Sequence, residues 1–308
     1  MILIAALAAA VSSGTALLLA ALGEVLAERS GVMNLGVEGM MLIGALAGFA
    51  TTVWTGNLWL GLLASLFAGG LLAALHAVLT VTFGADQIVS GLALTLFATG
   101  LASFLGKPLV GQAAPVSFRA MALPLLADIP ILGPIFFRQN ALTYLSYVLA
   151  IGLWIVLFRT HLGLLIRAVG DSPATVDATG HSVPLLRSVA VIVGGMFAGL
   201  GGAAIALGTN PSWTENITAG RGWIAVALVV FATWNPLRAV LGAYLFGSVE
   251  AAQFLLQAAG VAVSAFFLNM LPYVATILVL LITTQAVARQ RLGAPAALGM
   301  PYRREARA

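Results

Sequence analysis

Gly39 to Leu75 reads GMMLIGALAGFATTVWTGNLWLGLLASLFAGGLLAAL, without one Asp, Glu, Lys, Arg or His. A helix crosses the hydrocarbon of a bilayer in about 20 residues. The run is therefore long enough for two crossings. Thr55, Gly56 and Asn57 interrupt it with the residue types that end one helix and begin another. Apolar residues occupy every face of the run instead of alternating, which excludes a strand of a closed β-barrel.

The same reading extends outward. Residues 2–23, 188–214 and 251–288 also lack charged residues and histidine. The chain is 61% hydrophobic and 8% charged, with a mean hydropathy of +1.06, against roughly 25% charged residues in a soluble domain. Splitting at charges and turn residues gives crossings near 2–23, 36–54, 58–83, 88–105, 140–158, 188–208, 222–236, 239–257 and 267–288. The expected fold is an all-α polytopic transmembrane bundle of about eight to ten crossings, with a broken helix near residues 31–39. Residues 1–288 form the transmembrane domain and 289–308 a basic tail. Met1 to Ala10 has no basic leader, so the first segment is read as retained.

Arginines set the orientation. Arg159, Arg167 and Arg187 in the central loop, with Arg289, Arg291, Arg303, Arg304 and Arg307 in the tail, place both on the cytoplasmic side. The tail is read as an anchor at anionic headgroups. Residues 106–139 become the main external loop, and Pro108, Pro115, Pro124, Pro130 and Pro134 favour an extended, folded-back path there. Gly194, Gly195, Gly199, Gly201 and Gly202 on one helix indicate close backbone packing. The net charge of +4 follows from orientation and does not call for nucleic acid.

Three stretches carry polar groups that need a reason. In GEVLAERSGVMNLGVEGM (Gly23–Met40), glycines flank Asn34 and Glu38, and irregular backbone at membrane depth belongs in a buried or water-lined place. Asn34 and Glu38 are read as lining a solute path, and Glu24, Glu28 and Arg29 as solvated charges of a connection. In the loop 163–188, Ser172 can cap a short helix, Pro173 suits its first position, and Gly180 supplies a left-handed stop. In the third stretch, Asn210–Gly247, Pro236 breaks a helix. Arg221 there either sits at the external interface or faces solute, and Glu250, alone in the apolar sequence beyond it, either pairs with an arginine or ends a helix.

No HExxH, Walker A or GxSxG pattern is present, and His76, His161 and His181 have no metal-binding spacing. With no Cys there is no thiolate site. His76 is read as a helix-packing residue. Glu38 or Glu250 would also suit an ion-coupled transporter or channel, in which an intramembrane carboxylate carries the coupling proton.

LAERSGVMNLGVEGMMLIGA (Leu26–Ala45), GADQIVSGLAL (Gly84–Leu94), RAVGDSPATVDATG (Arg167–Gly180) and GRGWIAVALVVFATWNPLRAVLGAYLFG (Gly220–Gly247) resemble the permeases of bacterial ABC importers. The similar branch groups branched-chain amino acid, ribose and nucleoside permeases, and the first pattern resembles the shorter permease of nucleoside or simple-sugar systems. The resemblance implies a coupling helix at residues 171–180, with Asp171, Ser172, Pro173, Ala174, Val176, Asp177, Ala178 and Gly180 at the ATPase. Val176 is expected on the docking face. It also implies a path along the break, to which Thr95, Arg221 and Asn235 add polar groups. Thr95 stands where many relatives have Asn, and Arg238 where Gly is common. The implied partners are an ATPase subunit carrying ATP and Mg, a second permease and an extracytoplasmic solute-binding lipoprotein, in the inner membrane.

Overall fold

A computed structural model describes residues 2–258, 264, 267–268, 270–278, 281 and 293–303. The chain begins with four helices, α1 (Ile2–Arg29), α2 (Val37–Thr55), α3 (Leu58–Ala77) and α4 (Gln87–Gly106). A loop then carries β1 (Ala120–Ala122), the short α5 (Leu132–Phe136) and β2 (Arg138–Asn140). After it come α6 (Ala141–Arg159), α7 (His161–Asp171), α8 (Pro173–Ala178), α9 (Val183–Ala203), α10 (Arg221–Phe231) and α11 (Pro236–Ala258).

The helix ends follow local chemistry. Gly56 takes a left-handed φ of 66° to stop α2, and the Asn57 side chain accepts from the Trp59 and Leu60 amides to start α3. Asp86 caps α4 through the Val89 amide, and Asn235 caps α11 through the Leu237 amide at 2.9 Å.

Seven described helices are long and apolar enough to span a membrane: Leu3–Arg29, Val37–Thr55, Leu58–Thr82, Gln87–Leu109, Ala141–Arg159, Val183–Thr209 and Pro236–Ala258. The eight to ten crossings read from the sequence are therefore not reached among the described residues. The expected crossing at 222–236 is corrected to the half-length α10, whose eleven residues rise about 16 Å against a hydrocarbon core of about 30 Å. The expected crossing at 267–288 is described only at 267–268, 270–278 and 281.

The core of the bundle is α9 packed on α1, α2 and α3. Glycine makes that contact possible. A Cβ on Gly202 would lie 2.0 Å from the Met41 carbonyl oxygen, and one on Gly199 would lie 2.2 Å from that of Ser65. His76 sits fully buried where α3 meets α4, with Nδ1 3.0 Å from Ser90 Oγ and Nε2 3.1 Å from the Met33 carbonyl.

Hydrogen bonds sort the connections onto two faces. On one, Gln139 Nε2 donates to the Ala8 carbonyl at 3.0 Å, and the Gly111 amide donates to the Trp213 carbonyl at 3.1 Å. The proline-rich loop folds back there as an antiparallel pair, Ala120 opposite Asn140. On the other face, Arg29 Nε donates to the Trp234 carbonyl at 3.0 Å, and the Ala297 amide to that of Gly170 at 2.8 Å. The N-terminus and loop thus share one face, and α7, α8 and residues 293–303 share the opposite one.

Candidate functional site

A cavity of 850 Å³ opens near the loop face, lined by Ser12 and Ser13 of α1, Arg119, Gln139 and Asn140 of the loop, and Asn210, Arg221 and Glu250. Neutral hydroxyl and amide groups supply much of its polarity. A second cavity of 280 Å³ is lined by Leu17, Gln253 and Tyr273 and again by Arg221 and Glu250. The two cavities share this pair, and Arg221 Nη2 donates to Glu250 Oε1 in an ion pair. Of the two placements open for each residue in the sequence, Arg221 faces a cavity and Glu250 pairs with an arginine. Removing one partner of a buried pair typically costs about 3–5 kcal/mol, because the other charge is left uncompensated.

Arg221 owes its place to α10. After α9 and the π-helical turn Ala204–Thr209, the chain re-enters the bundle, burying Trp213 and Thr218 completely or nearly so. It turns through positive φ at Asn216, Ala219 and Gly220 and then starts α10. The first amides of a helix have no intrahelical partner. Glu38 answers them: Oε1 accepts from Thr218 Oγ1 at 2.6 Å and the Gly220 amide at 2.8 Å, and Oε2 accepts from the Gly222 amide at 2.6 Å.

The other end of α10 is held from the same region. Thr233 and Trp234 both have positive φ, and Arg29 donates to their carbonyls at 3.4 and 3.0 Å. Trp234 Nε1 donates to the Glu28 carboxylate. An anion at the N-terminus and a cation at the C-terminus both complement the helix dipole. The stretch Glu28–Glu38 therefore brackets α10.

Asn34 organises the bracket. Its amide donates to Glu24 Oε1 at 2.9 Å, its Oδ1 accepts from the Gly36 amide at 3.1 Å, and its Nδ2 donates to Met40 Sδ at 3.3 Å. Thr95 Oγ1 donates to the Leu35 carbonyl at 3.1 Å and ties α4 to the break. Of the five residues read as path residues, Asn34, Glu38 and Thr95 thus gather at the break, Asn235 starts α11, and Arg221 borders the cavities. Glu24 and Glu28 are only 1% and 2% exposed, which corrects their reading as solvated charges. The Asn34 amide and the Trp234 indole each replace water on one oxygen, of Glu24 and Glu28 respectively, while Glu24 Oε2 is buried without a hydrogen-bond partner among the described residues. Ser12, Ser13, Gln139 and Asn210 were not singled out from the sequence. Only the adjacent serines in an apolar helix could have pointed to them.

On the opposite face α7 ends at Asp171 and α8 follows. Pro173 takes the first helical position and Gly180 turns through φ 86°. Ser172 does not cap through a backbone amide; its Oγ lies 2.7 Å from Thr175 Oγ1 instead. Val176 is 3% exposed, packed with Val169, Val183 and Tyr302. Its expected position on a docking face is corrected: a six-residue helix needs an apolar anchor, and Val176 is it. Asp171, Ser172, Ala174, Thr175, Ala178 and Gly180 are exposed, with Pro173 and Asp177 half-buried.

The described part of the tail lies across this face. The Gly299 amide donates to the Gly31 carbonyl at 3.2 Å, and Arg187, itself 2% exposed, donates to the Ser30 and Met300 carbonyls at 3.1 and 2.8 Å. Within 293–303, Pro295 and Ala297 are buried against this face, and most of the other residues are exposed. Arg289, Arg291, Arg304 and Arg307 lie outside the described residues.

Residues 6–284 match the family described as branched-chain amino acid transport system / permease component. A Haloferax volcanii permease protein whose name provisionally gives glucose as its solute is 44% identical, covering 96% of this chain and 97% of its own length. A guanosine ABC transporter permease protein of Bacillus subtilis is 38% identical over 93% of this chain and 92% of its own. A nucleoside ABC transporter permease protein of Lactococcus lactis is 37% identical over 86% and 88%. No solved structure matches.

Proposed function

The chain belongs to the family of branched-chain amino acid transport system permease components, and from that premise we propose that it is the membrane-spanning subunit of an ABC importer for nucleosides or simple sugars. The vestibule carries the reading: an 850 Å³ cavity where neutral hydroxyl and amide groups alternate with apolar ones, with Arg119 at its loop side and the charges of Arg221 and Glu250 paired. Neutral, hydroxyl-rich solutes suit such a lining. The names of the similar permeases, which give glucose, guanosine and nucleosides, support the same class.

In this reading the loop face is extracytoplasmic and receives solute from a solute-binding lipoprotein. The face carrying α8, the tail and Arg29 is cytoplasmic, in the bacterial inner membrane. Energy comes from a partner ATPase that holds ATP and Mg and docks on the exposed side of α8. A second permease completes the pore. Inward force on α8 has a packed route to α10: a Cβ on Gly170 of α7 would lie 2.2 Å from the Arg29 carbonyl, and the Arg29 side chain holds the end of α10.

The test is uptake of labelled guanosine and glucose into proteoliposomes holding the assembled permeases and ATPase, with binding protein added outside. Uptake that requires ATP hydrolysis is expected. Uptake driven by a proton or sodium gradient without ATP would replace this reading with the ion-coupled one.

A further inference from the structure

We infer that the Arg221–Glu250 ion pair is the gate between the vestibule and the inner cavity, opened when a neutral, hydroxyl-bearing solute takes over its hydrogen bonds. This rests on the reading of the vestibule as the solute entrance.

Both cavities are bordered by Arg221, Glu250 and Phe254, so these three side chains stand between them. The pair lies within the span. Glu250 is eight residues before Ala258, the last described residue of α11, which is about 12 Å along a helix from that end. Its side chain is 11% exposed and that of Arg221 22%. The other ion pair among the described residues, Arg138 with Asp128, lies on the exposed loop. A charge pair at membrane depth costs desolvation, and such pairs mark functional pathways.

The chemistry suits an opening by solute. A guanidinium only donates and a carboxylate only accepts, whereas a hydroxyl does both. Two hydroxyls can therefore accept from Arg221 and donate to Glu250 while each charge keeps a partner. A carboxylate solute would pair with Arg221 and strand Glu250. Arg221 is placed for this role as the first residue of α10, whose start is fixed by Glu38, and its Nη1 also donates to the Ile217 and Thr218 carbonyls, so the guanidinium keeps partners when the pair opens.

Cysteine access tests the gate without requiring transport, since the chain has no cysteine of its own. Ser13 lines the vestibule and Leu17 the inner cavity, one helical turn deeper on α1. A small impermeant methanethiosulfonate is added to membrane vesicles of the assembled transporter, in the orientation in which Ser13→Cys is labelled. Labelling of this chain is read by mass spectrometry. Leu17→Cys should be labelled at least tenfold more slowly than Ser13→Cys when the pair is intact. It should be labelled at a rate near that of Ser13→Cys with Glu250→Gln, and slow again in the exchanged pair Arg221→Glu with Glu250→Arg. Equal labelling of both cysteines with the native pair, or a slow Leu17→Cys in a membrane-inserted Glu250→Gln protein, would overturn the gate. If Glu250→Gln does not reach the membrane, Arg221→Gln is read by the same criterion. Uptake of charged rather than neutral solutes would instead sink the solute reading and leave the access result standing.

Discussion

Glu38 Oε2 accepts a hydrogen bond from the Gly222 amide at 2.6 Å, joining residues 184 positions apart. The contact is also steric: a Cβ on Gly222 would stand 2.5 Å from Glu38 Cα. The start of α10 is thus seated on the start of α2, and Arg221 beside it inherits that position. A polar residue read as facing solute instead fixes the backbone that carries Arg221, which borders both cavities.

Glu38→Gln keeps an acceptor for one amide but removes the charge and the second acceptor. Hydrogen bonds to charged groups contribute about 1.5–3 kcal/mol and a charge at a helix N-terminus about 0.3–1 kcal/mol. The variant should assemble, unfold at lower temperature and take up solute more slowly. Native thermal unfolding and native uptake in Glu38→Gln would show that the bracket on α10 has no consequence.

Two glycine substitutions should move stability in opposite directions. Gly202→Ala forces a Cβ to 2.0 Å from the Met41 carbonyl oxygen, and backbone on both sides leaves no flexible group to yield. A loss of about 1–3 kcal/mol or failure to fold is expected. Gly100→Ala meets nothing within 4 Å on a helix surface, and should gain about 0.5–1 kcal/mol through the lower conformational freedom of Ala. Unfolding of both purified proteins in one detergent checks the signs.

Orientation is checked by two exposed positions on opposite faces. Leu125, 86% exposed on the loop, should be labelled as Leu125→Cys by an impermeant thiol reagent outside intact cells. Thr175→Cys, on the exposed side of α8, should be labelled only after the cells are opened. The reverse pattern would invert the assignment of faces.

What the sequence made legible was local. The α2–α3 turn is set by Gly56 and Asn57 within three residues, and crossings follow from apolar runs whose length the bilayer dictates. Close packing of α9 was readable from its glycines, since the absence of side chains is itself the feature. Contacts across the bundle were not. Nothing near Glu28 announces Trp234, and nothing near Glu38 announces Gly220, so burial of these acids looked costly until their donors were in place. The half-length of α10 was hidden because its apolar run continues past Phe231 to Ala232, where two residues with positive φ end the helix. Residue 176 was misplaced for a related reason: six residues are too few for periodicity to show which side is buried.

The two sides of α8 give the last prediction, and they separate coupling from folding. Val176 is held among Val169, Val183 and Tyr302, so Val176→Asp buries a charge with no partner and should lower stability before it affects any contact with an ATPase. Ala174 and Ala178, four residues apart, lie on one exposed strip of the helix, where a new side chain meets solvent in the isolated chain. Ala174→Asp and Ala178→Asp should therefore leave thermal unfolding of the permease within about 0.5 kcal/mol of native, as surface substitutions do. If the partner ATPase docks on that strip, the same variants lose stimulation of ATP hydrolysis and lose uptake, while Val176→Asp loses unfolding temperature as well. Three measurements on three variants decide the matter: an Ala178→Asp protein with native unfolding, native stimulation and native uptake would place the ATPase contact elsewhere on this face.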